Sequence, residues 1–369
     1  MKYWNERISN AMPYIPGEQL SDQGFIKLNT NENPWPPSPH VVSAIEEGSR
    51  SLLSRYPDPN ARMFCNAAAH YCDVPVEYIF AGNGSDEILA FAFGAFFGRS
   101  NSKPLACDAA VVFPDVTYSF YSVFASLWSL SYKELPVADD FSVVPELLCG
   151  NYGGVVLCNP NAPTGKALSR QECIDIIEFY ARRGVVVVID EAYAEFGAES
   201  VVNETLRYDN ILVVRSLSKS KSLAGLRAGY AVGAPVLIDG LKRIRDMFNS
   251  YTMNTITQLA GAAALEDEDY YRSKTEELIG IRSRLQERLT KCGWTVLPSV
   301  TNFLFISLPG MQGSTLAEHF RASKILVRHW NKPRISNYIR VSIGTETAME
   351  RFSAVAEMLA EQRTETVNR

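Results

Sequence analysis

Residues 214–230 read VRSLSKSKSLAGLRAGY, which places two lysines, four serines and two arginines beside apolar sequence. The run before it, Ile-Leu-Val-Val at 211–214, is typical of an interior strand. A lysine beside a core is unusual, because its ammonium group loses hydration there. A lysine that loses its proton in such a place is a nucleophile for aldehydes, so Lys219 and Lys221 are both candidates for a reactive amine.

The sequence around this segment alternates between apolar runs and amphipathic stretches. GGVVLCN (153–159), VVVVID (185–190) and ILVVRS (211–216) are short apolar runs of the kind that parallel strands need when both faces are buried. QECIDIIEFYARRG (171–184) has the apolar spacing of a helix and ends at Gly184. The alternation predicts an α/β fold, with a mostly parallel central sheet flanked by helices.

The pattern changes after about residue 255. One long helical stretch over about 255–290 is followed by four predicted strands, WTVLPS, TNFLFISL, KILVRHW and YIRVSIGT, with the helix STLAEHFRASK among them. These elements predict a small α+β domain. We expect residues 1–40 to form an N-terminal arm that is part of the small domain. We expect residues 41–255 to form the large α/β domain, and residues 256–369 the linking helix and the rest of the small domain.

Composition argues against several classes of function. The net charge of -5 provides no basic field for nucleic acid or an anionic membrane surface. The longest apolar run, ILAFAFGAFFG (88–98), is too short to cross a bilayer, and MKYWNERISN lacks the apolar core of a signal peptide. The seven cysteines show no CxxC spacing and the four histidines are scattered. We therefore expect a cytoplasmic protein with reduced thiols and no metal site.

Several predicted strands are followed by residues suited to ligand binding, at the sheet edge where open parallel sheets bind ligands. GNGSDE (82–87) precedes a helix and suits a phosphate, although a glycine turn with a helix cap explains the same residues. Tyr118 suits stacking on a flat ring, or packing in the core. Asp190 ends a buried strand, where a carboxylate is unfavourable unless it meets hydrogen-bond donors or a cation, either a ligand or an arginine of the chain.

Taken in order, these motifs resemble those of the fold-type I, pyridoxal-phosphate-dependent aminotransferases. The resemblance covers nearly the whole chain and rests on KLNTNENPWPPSP (27–39), SRYPDP (54–59), GNGSDE, FPDVTYSFY, NPNAPTG, DEAYAEF, SLSKSKSLAGLRAGY and IRVSIGT. NENP and RYPDP resemble the branch of the family that acts on histidinol phosphate. The resemblance implies pyridoxal 5′-phosphate as the cofactor.

The resemblance also implies roles for individual residues. Lys219 matches the lysine that forms a Schiff base with the cofactor, which leaves Lys221 as an expected bystander near the rim of the site. Asp190 matches the acid that pairs with the pyridine nitrogen, Tyr193 the donor to the ring's phenolic oxygen, and Tyr118 the stacking aromatic. The residues implied around the cofactor phosphate are Gly84, Ser85, Asp86, Ser216, Ser218 and Arg227.

The substrate-binding residues that the resemblance implies are Asn33, Tyr56, Arg328 and Arg340. Arg340, in IRVSIGT, matches the arginine that clamps a substrate carboxylate, a bidentate role that suits a guanidinium. Arg328 is a candidate second cation, or else a solvated strand end. Tyr56 resembles a tyrosine that reaches into the neighbouring subunit's site, which implies a homodimer with shared active sites.

One position departs from the family pattern. The family often reads PNNPTG, and the second Asn contacts the phenolic oxygen of the ring; this chain has Ala162 at that position. We expect Asn161, one residue earlier, to take over the contact, or Tyr193 to make it alone.

The expected reaction is a ping-pong transfer of an amino group between L-histidinol phosphate and 2-oxoglutarate, in histidine biosynthesis. A decarboxylase of O-phospho-threonine, in cobalamin synthesis, shares almost all these motifs. An aromatic or broad-specificity aminotransferase is a third interpretation. A non-catalytic regulator that binds the cofactor would carry a helix-turn-helix domain ahead of the fold, which we do not expect in the roughly 25 residues before the NENP region.

Overall fold

The computed structural model of the chain describes residues 3–4, 8–9, 13–19, 24–98 and 110–367. Its strands form a seven-stranded, a four-stranded and a two-stranded sheet. In chain order the strands are β1 (Ile26–Lys27), β2 (Ile79–Gly82), β3 (Val111–Pro114), β4 (Tyr132–Leu135), β5 (Gly154–Cys158), β6 (Val187–Asp190), β7 (Ile211–Ser216), β8 (Gly229–Gly233), β9 (Thr295–Val296), β10 (Phe303–Ser307), β11 (Ile325–Leu326), β12 (Arg328–His329) and β13 (Ile339–Ser342).

The large sheet has the strand order β2-β8-β7-β6-β5-β3-β4, and β8 is antiparallel to both of its neighbours while the other pairs are parallel. This arrangement confirms the predicted α/β fold. In the register of the central strands, Cys158 lies beside Asp190, and Asp190 lies beside Val214. The carboxyl ends of β5, β6 and β7 therefore meet along one edge of the sheet.

Alternate residues of the central strands pack into separate cores on the two faces of the sheet. Val156, Val188 and Leu212 belong to the core that continues to β10 and β13. Val187 and Ile211 belong to the core on the opposite face. Because both faces are covered, the strands read as continuous apolar runs in the sequence, as the prediction assumed.

The helices that flank the sheets follow local sequence signals. The helix Arg170–Ala181, for example, begins at a capping box in which the side chains of Ser169 and Glu172 accept hydrogen bonds from each other's backbone N–H groups. In chain order the helices are α1 (Pro39–Ser51), α2 (Arg62–Cys72), α3 (Ser85–Phe96), α4 (Phe120–Leu127), α5 (Pro145–Leu148), α6 (Arg170–Ala181), α7 (Pro235–Phe248), α8 (Thr255–Glu266), α9 (Glu268–Lys291), α10 (Gly313–Ala322) and α11 (Glu346–Val367). Within the described ranges, none of these helices combines the length and the apolar character needed to cross a bilayer.

Two predicted elements differ from the structure. The single helical stretch over about 255–290 is two helices, α8 and α9, because Asp267 leaves the helical region of backbone space with ψ of 55°. The predicted strand KILVRHW is also divided: β11 pairs in parallel with β1 of the N-terminal arm, whereas β12 pairs with β13 in the four-stranded sheet. The arm and β11 thus form a two-stranded sheet that is separate from the four-stranded sheet of β12 and β13.

Candidate active site

A cavity of about 320 Å³ lies between the carboxyl edge of the large sheet, the N-terminal arm and the strands β12 and β13. Eleven of the residues predicted from the sequence line it: Ser85, Asp86, Tyr118, Asp190, Tyr193, Ser216, Ser218, Lys219, Arg227, Arg328 and Arg340. Four predicted residues, Gly84, Asn33, Tyr56 and Asn161, are not among its lining residues.

The amine of Lys219 projects into this cavity from the loop after β7. Its Nζ atom lies 3.2 Å from the carbonyl oxygen of Thr30 in the N-terminal arm, to which it donates a hydrogen bond. Burial lowers the pKa of Lys219 to about 8, and the positive charge of Arg340 acts in the same direction. About a tenth of this amine is therefore neutral at pH 7.

Asp190 ends β6 with a carboxylate that has hydrogen bonds but no cation. Its Oδ2 atom accepts from the Tyr121 hydroxyl at 3.0 Å, and its Oδ1 atom accepts from the Ala192 N–H at 3.1 Å. Within the part of the chain that the structure describes, no ion pair to Asp190 is formed, so the predicted alternative of a structural arginine partner is wrong. Burial raises the pKa of Asp190 to about 7. A cation in the cavity would favour the ionised carboxylate.

The first turn of α3 binds a guanidinium at one end of the cavity. Asp86 accepts from the Tyr118 hydroxyl at 2.8 Å and from Nη2 of Arg227 at 3.0 Å. Nη1 of Arg227 lies 3.2 Å from Oγ of Ser218, and Oγ of Ser216 accepts from the Ser218 N–H at 3.2 Å. Helix N–H groups, a guanidinium and two hydroxyls thus converge here, and this is a set of donors that suits a phosphate.

Gly84 contributes to this end of the cavity through its missing side chain. It has a φ of 85°, and a Cβ atom there would lie 2.7 Å from Nη2 of Arg227. The predicted direct contact with the phosphate is not supported, since Gly84 does not line the cavity. The glycine instead lets the Arg227 guanidinium lie against the N-terminus of α3.

At the opposite end, two arginines occupy paired positions on neighbouring strands. Arg328 of β12 lies opposite Arg340 of β13. Nη2 of Arg340 donates to the carbonyl of Asn29 at 3.1 Å, while its buried Nε atom has no partner among the described residues. Arg328 donates to the carbonyls of Ile15 and Pro16 and lines the cavity, so it is not a solvated strand end. The pair gives this end a positive charge suited to carboxylate or phosphate groups.

Two residues predicted to contact ligands, Asn33 and Asn161, form hydrogen bonds within the protein and do not line the cavity. Asn33 was assigned to the substrate, but its Nδ2 atom donates to the carbonyls of Lys219 at 2.8 Å and Ser220 at 3.3 Å, so it holds the lysine loop. Asn161 is predicted to contact the cofactor; its Nδ2 atom donates to the carbonyl of Val116, after β3, and to the Thr164 hydroxyl. Its amide hydrogens are therefore committed, and no ligand contact remains for them.

Lys221 is not a bystander at the rim. Its side chain is only 4% exposed, and its Nζ atom lies 3.4 Å from Oε2 of Glu195 and 3.2 Å from the Tyr71 hydroxyl. Glu195 and Arg215 extend this buried ionic cluster on the side of the β7 loop away from the cavity. The two lysines of the opening segment thus have different partners: Lys219 reaches the cavity and Lys221 a buried ion pair.

Several residues of the site were not predicted. Asn31, Tyr121, Cys158, Tyr14 and Lys332 line the cavity or bind residues that do. Tyr121 lies three residues after Tyr118 in the motif FPDVTYSFY, and the two ring centroids are 5.7 Å apart. The others belong to the arm, a strand end and a small-domain loop, and no local pattern marks them.

A family model described as "Aminotransferase class I and II" matches residues 23–355. The chain belongs to this family. Membership confirms the enzyme class and the cofactor predicted from the sequence, an aminotransferase that uses pyridoxal 5′-phosphate. The donor set described above fits that cofactor, with an uncompensated buried carboxylate for its ring nitrogen and a cluster of donors for its phosphate.

The relatives of this chain include a histidinol-phosphate aminotransferase of Clostridium acetobutylicum, 42% identical over 351 residues that cover 95% of this chain and 97% of the relative. Histidinol-phosphate aminotransferase 2 of Dechloromonas aromatica is 43% identical over 351 residues, covering 94% of this chain and 95% of the relative. The solved histidinol-phosphate aminotransferase from Sinorhizobium meliloti, in complex with pyridoxal-5′-phosphate, is 23% identical and has a TM-score of 0.85, with 98% of each chain covered. The last comparison shows the shared fold.

We predict that Asp190→Asn stabilises the cofactor-free enzyme. Because the folded-state pKa of Asp190 is raised to about 7, the folded state holds a proton that the unfolded state releases near pH 4, and wild-type stability falls as pH rises between these values. The asparagine variant lacks this loss, so its relative free energy of unfolding should increase by about 1 kcal/mol per pH unit up to pH 7 and stay constant above it.

Urea unfolding at several values between pH 5 and pH 8 measures this difference. Asp140→Asn is the control, because the pKa of Asp140 is lowered to about 2 by its hydrogen bond to Lys166 and does not titrate in this range. A pH-independent effect of Asp190→Asn would contradict the raised pKa.

Proposed function

We propose that this enzyme transfers an amino group between L-histidinol phosphate and 2-oxoglutarate in histidine biosynthesis, in the cytoplasm. The observation that carries the proposal is the pairing of Arg328 with Arg340 at the substrate end of a cavity whose other end has phosphate donors. The names of the relatives at 42% and 43% identity support the same substrate.

Residues of the large domain would hold the cofactor. Asp190 would pair with the protonated ring nitrogen, and Tyr193 would donate to the phenolic oxygen. Tyr118 lines the same cavity and would stack on the ring. Arg227, Ser216, Ser218 and the N–H groups at the start of α3 would bind the phosphate.

Lys219 is the residue that moves protons in this proposal. When bound, the cofactor supplies an aldehyde that takes up the amino group and a protonated ring that withdraws electrons from the substrate's Cα–H bond. With a pKa of about 8, about a tenth of the Lys219 amine is neutral at pH 7, so Nζ is able to accept the Cα proton and return it later.

The two arginines would serve both substrates. Histidinol phosphate has a phosphate and no carboxylate, whereas glutamate has carboxylates and no phosphate. Arg340 has an unpartnered Nε among the described residues and would bind whichever anion is present. Arg328 and Lys332, which also line the cavity, would add positive charge for the doubly charged phosphate.

The alternative activities have less support. Among the solved structures with this fold is an L-threonine-O-3-phosphate decarboxylase from Porphyromonas gingivalis, but it is only 19% identical and shows the fold alone. Both relatives described above, at more than twice that identity, carry the name histidinol-phosphate aminotransferase.

We expect the holoenzyme to convert histidinol phosphate with 2-oxoglutarate, and to release no carbon dioxide from O-phospho-threonine. Values of kcat/KM for histidinol phosphate, phenylalanine and O-phospho-threonine measure this preference directly. Lys219→Ala, which removes the proton-transferring amine, is the control and should be inactive with all three compounds. A higher kcat/KM for phenylalanine than for histidinol phosphate would replace this proposal with an aromatic aminotransferase.

The arginines should be separable by substrate. Arg340→Lys should lower kcat/KM for glutamate by about 10- to 100-fold, because an ammonium group does not make the two parallel hydrogen bonds of a guanidinium. Arg328→Gln should weaken histidinol phosphate more than glutamate, since the phosphate carries more charge. Arg334→Gln is a matched control: this arginine bonds Asp115 and does not line the cavity. Equal losses for both substrates in Arg328→Gln would rule out its phosphate role.

We also propose that the enzyme is a homodimer with shared sites. Tyr56 is 82% exposed, and it stacks on Tyr251 with ring centroids 4.7 Å apart, outside the cavity of its own chain. Leu53, Met247 and Phe248, close in sequence to these two tyrosines, are exposed as well. An apolar surface of this kind is typical of a subunit interface, from which Tyr56 would reach the partner's phosphate site.

Mixed dimers test the shared site. If Tyr56 completes the partner's site, a dimer of one Lys219→Ala chain and one Tyr56→Ala chain contains one intact site. Two such inactive preparations, unfolded and refolded together, should then recover roughly a quarter of the wild-type activity, since random pairing makes half of the dimers mixed. Activity no higher than that of the separate variants would show that Tyr56 acts within its own chain or not at all.

A further inference from the structure

Three buried residues from distant parts of the chain form a directed series of hydrogen bonds that ends at Tyr193. The backbone N–H of Asn31 donates to Oγ of Ser342 at 2.8 Å. The Ser342 hydroxyl lies 3.1 Å from Oδ1 of Asn31. Nδ2 of Asn31 lies 3.0 Å from the hydroxyl oxygen of Tyr193. The side chains come from the N-terminal arm, from β13 and from the turn after β6.

The structure assigns a donor and an acceptor to each hydrogen bond in this series. Ser342 Oγ already accepts from a backbone N–H, so its single hydrogen is free to be donated to Asn31 Oδ1. The amide of Asn31 is thereby oriented, because an oxygen faces Ser342 and the NH₂ group faces Tyr193. That NH₂ group only donates, so the Tyr193 oxygen is the acceptor.

The hydrogen of the Tyr193 hydroxyl is consequently left for another acceptor. None is found for it among the residues that the structure describes, and Tyr193 lines the cavity. The opposite loop offers no amide that could donate beside it, since Ala162 lines the cavity with a methyl group and both amide hydrogens of Asn161 are used. Tyr193 is therefore a hydroxyl that is prepared to donate into the cavity.

The backbone of Asn31 shows that the position is built for this contact. Its φ is 56°, in the left-handed region that asparagine tolerates better than most residues. Nδ2 of Asn302 donates to the Asn31 carbonyl at 2.9 Å, which holds the strained residue in place. Both Asn31 and Asn302 are fully buried, so solvent does not compete for these bonds.

We propose that Asn31, oriented by Ser342, is a positioning residue that fixes Tyr193 as a hydrogen-bond donor toward an anionic oxygen of the ligand ring in this cavity. The inference rests on the proposed binding of pyridoxal 5′-phosphate, whose phenolic oxygen is such an anion. Asn31 polarises the phenol by donating to it, and this strengthens the donation that Tyr193 makes in turn. The ionisable groups that surround Tyr193 are Arg340, Lys219, Asp190, Cys158 and Tyr118.

Asn31→Asp keeps the shape of the side chain but reverses the direction of the hydrogen bond to Tyr193, because a carboxylate oxygen accepts where the amide NH₂ group donates. The Tyr193 hydrogen then turns toward Asp, and the ligand oxygen loses its donor. The pH midpoint of the visible absorption change of the enzyme loaded with pyridoxal 5′-phosphate reports this loss. We expect the midpoint to rise by about one to two pH units in Tyr193→Phe and by a comparable amount in Asn31→Asp, as for a lost hydrogen bond to an ionised oxygen.

The new negative charge of the aspartate has its own effect on the midpoint, and the double variant separates the two causes. If the hydrogen direction is responsible, Asn31→Asp adds little to the shift once Tyr193 is Phe. An equal additional shift in the Tyr193→Phe background would assign the effect to charge and overturn the proposal, as would a wild-type midpoint in Asn31→Asp.

Ser342 provides a second, uncharged test. Ser342→Ala frees the Asn31 amide to rotate, so the midpoint should rise by less than in Asn31→Asp, while Ser342→Thr keeps the hydroxyl and should restore the wild-type value. Thermal unfolding of each cofactor-free variant establishes that it is folded. A wild-type protein that gains no visible absorption with pyridoxal 5′-phosphate would sink the proposed function itself. A loaded wild type with an unshifted Ser342→Ala would sink only the role of the series.

Discussion

The uncompensated carboxylate of Asp190 is the constraint on which the site depends. When a parallel sheet is covered on both faces, a ligand reaches it only at the ends of its strands. Here β6 ends in the buried carboxylate of Asp190. The Tyr121 hydroxyl and the Ala192 N–H hold this acid but do not neutralise it, so its pKa is raised to about 7. The fold thus carries an unfavourable charge that only a cation in the cavity relieves, and a protonated ring nitrogen is such a cation. The same uncompensated carboxylate lowers the stability of the cofactor-free protein and favours the binding of a cationic ligand.

Charged residues that are close to Asp190 and Lys219 in sequence form ion pairs with one another on the side of the β7 loop away from the cavity. Arg215 pairs with Glu191 at 2.7 Å, and Lys221 lies 3.4 Å from Glu195. Although burial opposes ionisation of Glu195, the charges of Lys221 and Arg215 lower its pKa. This cluster ties the turn that follows Asp190 at the end of β6 to β7 and the loop after it, which carries Lys219. The two lysines of VRSLSKSKSLAGLRAGY therefore have complementary roles, since one faces the ligand and the other holds the loop.

The large central sheet was predictable because its signals are local. Each central strand is a continuous apolar run followed by a polar residue, and β5, β6 and β7 lie within the runs predicted for them. Lys219, Asp190 and Tyr118 were found at the ends of such runs and do line the cavity. The structure differs from the sequence-based expectations in its hydrogen bonds and in which strands pair with which sheet, because the spacing of residues along the chain encodes neither. KILVRHW reads as one strand although its halves pair in different sheets. The amide of Asn33 donates to backbone carbonyls, and that of Asn161 donates to a carbonyl and to the Thr164 hydroxyl.

Asn31 illustrates why some residues of the site cannot be predicted from the sequence. Its neighbours in the series are 162 and 311 residues away along the chain, and they meet only because the arm pairs with β11 and lies against β13. The motif NENP marks the segment, but the direction of a hydrogen bond depends on which partner has already used its hydrogen. That information exists only once the arm, the large domain and the small domain are packed together. Asn31, remote from Lys219 in sequence, thereby sets the direction of a hydroxyl hydrogen in the cavity, and the N-terminal arm contributes to the site through this contact.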